Sequence, residues 1–210
     1  MAQIFAYIVH KDGVADDTAL ELVVAAKKLD ASVDAIAVVT GSGAELDTVC
    51  NDVAASYKEV YKIDNEALAY PNAEVVRKAL VNVLPADGIV LVPHTTFGMD
   101  LGPGLSIKMD SAFVADAVDF EGVDGSTLKV VREEFGGQVS ANMECDISGG
   151  AVINVRPGPF LPDESKSAGG QVVDKSGDAG DLAVGRKYLE IIVPEAGDVD
   201  ITKSDVLVSV

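Results

Sequence analysis

Apolar and polar positions follow two rhythms along this chain, and the switches between them mark its elements. Residues 3–9, QIFAYIV, form an apolar run that predicts a strand. Residues 18–29 continue at helical spacing. Thr18-Ala19-Leu20-Glu21 has the form of a capping box at the start of that helix, and Lys27 and Lys28 suit its negative end. A second strand is predicted over residues 33–39, ending in Thr40-Gly41. Ser42-Gly43-Ala44-Glu45 then forms another capping box, and the helix behind it sets Leu46, Val49, Cys50, Val53 and Ala54 on one stripe. A short strand follows over residues 59–63. The third helix has Pro71 at its start, stops before Pro85 and buries Val76, Ala79, Leu80, Val83 and Leu84.

Residues 88–93 carry four aliphatic side chains in succession, as a strand buried on both faces does. A helix is predicted over residues 101–108, with Asp100 as its cap and Pro103 in its first turn, then a strand over residues 112–120. Five strands separated by four helices imply right-handed crossovers. The predicted fold is α/β, a doubly wound, mostly parallel sheet.

The second half changes rhythm. Residues 127–132 and 138–144 alternate at period two around EEFGG, which predicts an added antiparallel hairpin. Residues 151–155 continue the sheet. Residues 161–185, rich in Gly, Ser, Asp and Lys, predict an excursion over the surface, and a strand is expected over residues 187–193. The expected organisation is a domain over residues 1–193 and a linker over 194–204. Residues 205–210, DVLVSV, are then expected to be the first strand of a domain absent from this chain.

Composition narrows the class. Of 210 residues, 48% are hydrophobic but only 5% aromatic, so the core must be built from Val, Ala, Leu and Ile. A net charge of −18 repels phosphate backbones and anionic membrane surfaces, so nucleic acid is excluded as a partner and membrane insertion is not expected. Two cysteines, Cys50 and Cys145, form no disulfide framework and suit a reducing, cytoplasmic setting. The basic start of a secretory leader is not seen.

Candidate chemistry is sparse. His10 and His94 lie far apart and no metal-ligand spacing occurs, so no metal is expected. Gly104-Leu105-Ser106-Ile107-Lys108 breaks the nucleophile-elbow pattern, and no catalytic residue is assigned. Gly98, Gly102 and Gly104 surround a helix start that could cradle a nucleotide phosphate. They serve equally well as close-packing glycines. Arg156, directly after a strand, could clamp a carboxylate or cofactor, or pair with one of many acidic residues.

Four stretches together carry a resemblance: the strand-led start, PHTTFGMDLGPGLS, FGGQVSANME and NVRPGPF, with ITKSDVLVS after them. In order and spacing they resemble the amino-terminal domain of the electron-transfer flavoprotein alpha subunit over about residues 1–195. The resemblance implies a nucleotide-hydrolase-like α/β domain followed by a flavin domain. It also implies pairing with a beta subunit, so that FAD can carry electrons from acyl-CoA and other dehydrogenases to a quinone reductase. Some anaerobic members hold a second flavin and bifurcate electrons. On this reading the chain is an electron carrier's scaffold rather than an enzyme, with no FAD of its own. His94, Thr95, Thr96, Asp100 and Arg156 would then face the beta subunit or its nucleotide. The family pattern after Asp100-Leu101-Gly102-Pro103 continues with arginine, where this chain has Gly104. Two rivals remain: an adenine-nucleotide-binding protein or enzyme with the nucleotide at Gly98 to Gly104, and an oligomerisation module.

Overall fold

The computed structural model describes residues 2–162, 168–186, 188–190, 192 and 206–208. In chain order its strands and helices are β1 (Ile4–Tyr7), β2 (His10–Lys11), β3 (Val14–Ala15), α1 (Thr18–Leu29), β4 (Ile36–Gly41), α2 (Gly43–Val53) and β5 (Glu59–Asp64). Then come α3 (Ala73–Val83), β6 (Ile89–Pro93), α4 (Thr96–Met109), β7 (Ala112–Asp124), β8 (Thr127–Glu134), β9 (Val139–Asp146), β10 (Ala151–Val155) and β11 (Gln171–Asp174).

Nine strands make one sheet in the order β11-β5-β4-β1-β6-β10-β7-β8-β9. Pairing is parallel from β11 to β7 and antiparallel between β7, β8 and β9. This is the expected α/β, doubly wound, mostly parallel sheet with its added hairpin. Successive strand residues point to opposite faces, so β1 sends Ile4 and Ala6 to one core and Phe5 and Tyr7 to the other. The first core is closed by α1 and α2, the second by α3 and α4. Both are almost wholly aliphatic, as the low aromatic content requires.

Several local expectations need correction. Thr18 does not cap α1: the Asp16 carboxylate accepts from the Thr18 amide at 3.0 Å and from its hydroxyl at 2.6 Å. Glu21 reaches away from its own helix to accept from the Gly158 amide at 2.6 Å. Ser42 makes no side-chain cap on α2. Asp64 does so across the sheet edge, accepting from the Gly43 amide at 3.2 Å. Asn72 caps α3, which leaves Pro71 outside the helix.

The largest correction concerns α4. It begins at Thr96, five residues earlier than predicted, with Thr95 as its cap. Asp100 is therefore a helical residue on the surface, and Pro103 lies in the helix interior. A tertiary fit explains the early start. Gly98 sits so close to β6 that an added Cβ would lie 1.9 Å from the Pro93 carbonyl oxygen. Gly102 would meet Asn154 Oδ1 at 2.3 Å. Leu101, Leu105 and Met109, one turn apart, are buried beneath the helix.

The polar stretch over residues 161–185 is more than a surface excursion. It supplies β11 at the open edge beside β5, and it buries Ala179 and Leu182 against the α3 face. Strand β10 does not extend the end of the sheet but inserts between β6 and β7. The two-residue hairpin β2–β3 was not anticipated. Residues 188–190, 192 and 206–208 lie in no strand, and the rest of the strands expected over 187–193 and 205–210 falls outside the described residues, as does the expected linker.

Candidate functional site

In an open α/β sheet, ligands and partners are met at the carboxyl ends of the strands. Two features occupy that edge here.

The first is a charged cluster. His94 follows β6, and its amide donates to the Val155 carbonyl at 2.7 Å. Arg156 follows β10, and its amide donates to the Ala117 carbonyl at 2.9 Å. Between them stands Asp116. The register of β10 against β7 jumps from Ile153–Val114 to Val155–Ala117, so β7 carries one extra residue there. Asp116 sits in that bulge at φ +61°, a left-handed conformation that re-aims its side chain. Arg156 grips it in a fork, Nε to Oδ1 at 2.8 Å and a terminal nitrogen to Oδ2 at 2.5 Å. The other terminal nitrogen donates to Glu133 on β8. His94 Nε2 lies 3.8 Å from Asp116 Oδ1. Hydrogen bonding from Arg156, with help from the charges of His94 and Arg132, holds the Asp116 carboxyl below the usual carboxylate range.

Of the sequence candidates, His94 and Arg156 are thus brought together. Thr95 spends its hydroxyl on the Gly98 amide, at 3.2 Å. Thr96 and Asp100 are exposed at the start of α4, away from any described side-chain hydrogen bond or ion pair. Gly98, Gly102 and Gly104 are packing glycines, since Pro93, Asn154 and the Arg77 guanidinium fill the space their side chains would need. Ser106 is buried and donates to the Pro103 carbonyl at 2.9 Å, an ordinary helical role. Asp116 and Glu133 were missed. The sequence does signal Asp116, a lone carboxylate interrupting the apolar run AFVADAV.

The second feature is a crevice of about 460 Å³. Crossovers leave β1 toward β4 and leave β6 in the opposite direction, so the crevice lies at the switch point of the sheet. Its floor holds Tyr7 and Phe97, ring centroids 5.9 Å apart, and at its rim Tyr70 and Tyr188 stack at 4.2 Å. The Tyr7 hydroxyl and Thr40 Oγ1 are 2.9 Å apart, and burial pushes the Tyr7 phenol up to about 12. His10 Nε2 donates to the Thr40 carbonyl at 2.8 Å. Lys11, Asp12 and Glu45 supply the charge.

At each helix start on this edge one amide is capped by the chain's own oxygen atoms: Thr18 by Asp16 on α1, Gly43 by Asp64 on α2, Glu74 by Asn72 on α3 and Gly98 by Thr95 on α4. Among the described residues no three His, Cys, Asp or Glu side chains converge as a metal set, and no helix is long and apolar enough to cross a membrane.

Comparison with known proteins adds a family. Residues 4–179 match the model of the electron transfer flavoprotein domain. The chain is similar to the electron transfer flavoprotein subunit alpha of Megasphaera elsdenii, 28% identical over 162 residues, covering 75% of this chain and 48% of that protein. It is similar as well to Protein FixB of Clostridium saccharobutylicum, 28% identical over 155 residues, 72% of this chain and 46% of the relative. The electron transfer flavoprotein subunit alpha of Clostridium acetobutylicum is 25% identical over 163 residues, 75% and 48% of the two chains. The chain spans about half the length of these curated relatives.

Proposed function

The chain belongs to the electron transfer flavoprotein domain family, and from that premise we propose that it is the α/β platform of an alpha-type subunit. Paired with a beta subunit, it supports a complex in which FAD, held elsewhere, moves electrons from flavin-dependent dehydrogenases to an acceptor. It is a carrier's scaffold in the cytoplasm and catalyses no bond chemistry itself.

The observation that carries this reading is the family match over residues 4–179, in order along a continuous sheet. One structural fact accords with it. At the strand ends Arg156 holds Asp116 and Glu133 in a charged cluster suited to meeting a partner surface.

The relatives' names carry the alpha assignment. The test is reconstitution. The 210-residue chain, purified and dialysed against FAD, is expected to be colourless. Mixed with a beta-type subunit, it is expected to co-elute with it in size-exclusion chromatography. Arg156→Ala and His94→Ala are each expected to weaken that association about tenfold, since both open the cluster at the strand ends. Stoichiometric FAD on the isolated chain, or unchanged association in both variants, would contradict the proposal.

A further inference from the structure

We propose that the crevice at the ends of β1 and β4, beside the start of α4, binds an uncharged nucleoside, a base with its ribose, and disfavours the corresponding phosphate ester. This goes beyond the flavoprotein reading and does not depend on it.

Three observations carry the inference. The first is shape and surface. The cavity of about 460 Å³ is walled by the paired rings of Tyr7 and Phe97 and of Tyr70 and Tyr188, whose outer edges and the exposed face of Tyr70 suit a flat heteroaromatic ring. Its place at the switch point is where such sheets receive ligands.

The second is the set of polar groups. Tyr7 and Thr40 are 3% and 5% exposed, yet their hydroxyls meet at the crevice. Each hydroxyl has hydrogen-bonding capacity beyond that single contact, enough to engage the edge of a base. His10 gives its Nε2 proton to the Thr40 carbonyl, which leaves Nδ1 for a ligand. Asp12 and Glu45 are acceptors of the kind that hold a ribose hydroxyl.

The third is what the crevice lacks. Lys11 stands against both carboxylates, so the lining is net negative on a chain of net charge −18. At the two nearby helix starts one amide each is already capped, Gly43 by Asp64 and Gly98 by Thr95. A phosphate placed here would meet like charge.

Isothermal titration of the 210-residue chain with adenosine, guanosine and uridine, each beside its 5′-monophosphate, tests this. At least one nucleoside should bind with a Kd below about 1 mM. Its monophosphate should bind roughly tenfold more weakly. Tyr70→Ala, at the exposed rim, should weaken the nucleoside about tenfold and leave the melting temperature unchanged. Glu45→Gln should narrow the gap between nucleoside and monophosphate. Absence of heat with all three nucleosides at about 5 mM, a monophosphate that binds as tightly as its nucleoside, or indifference to Tyr70→Ala would each overturn the proposal.

Discussion

At the scale of single residues, Asp116 shows how one bulge organises a sheet edge. A non-glycine residue at φ +61° is uncommon, and here the fork from Arg156 secures it. Asp116→Asn isolates the charge, because asparagine tolerates the same backbone conformation and keeps one acceptor oxygen. The folded carboxyl titrates below its ordinary value of about 3.9. Its contribution to stability is therefore fully present above that value and disappears as pH falls through the folded one. Asp116→Asn should cost about 1–2 kcal/mol at pH 7, and the difference from the parent chain should shrink at an acid pH, as pH falls through the folded value. Urea unfolding at both pH values measures it. A deficit that persists in acid would place its origin in packing rather than in the ion pair.

Among the elements, α4 carries the lesson about glycine. Its three glycines look alike in sequence but answer to different neighbours. At Gly98 the obstacle is the Pro93 backbone, which cannot yield, and at Gly104 it is the end of the Arg77 side chain, which can swing away. Gly98→Ala should destabilise by about 3 kcal/mol or more. Gly104→Ala should be neutral or slightly stabilising, since alanine is favoured in a helix interior by up to about 1 kcal/mol. Denaturant midpoints of the two variants give the comparison, and equal losses would mean that the Arg77 side chain is fixed. The same element marks the limit of reading from sequence. The periodicity of Leu101, Leu105 and Met109 reveals a helix. Nothing in PHTTFG tells that Thr95 rather than Asp100 is the cap, because that choice depends on how closely β6 and β10 approach.

For the whole molecule, charge and topology act together. With −18 on 210 residues, the folded chain bears self-repulsion over a small surface. Raising ionic strength from about 0.01 M to about 0.15 M shortens the screening length from about 30 Å to about 8 Å. The melting temperature should rise, by roughly 3 °C for each kcal/mol of repulsion relieved. Scanning calorimetry at the two salt concentrations checks it, and a fall would show that exposed pairs such as Lys58–Asp34 and Lys62–Asp47 outweigh the net charge. The sequence by itself determined the α/β class, the helices and strands of the first half apart from the β2–β3 hairpin and the start of α4, the β8–β9 hairpin and the aliphatic cores. Those follow from local hydrophobic spacing, which any short window of the chain contains. Only the tertiary structure decided that β10 inserts between β6 and β7, that residues 171–174 close the far edge, and that Arg156 meets Asp116 and Glu133. It also decided that Tyr7, Thr40 and Phe97 share one crevice. These are contacts between residues tens of positions apart, fixed by strand order and close packing, and no local pattern encodes them.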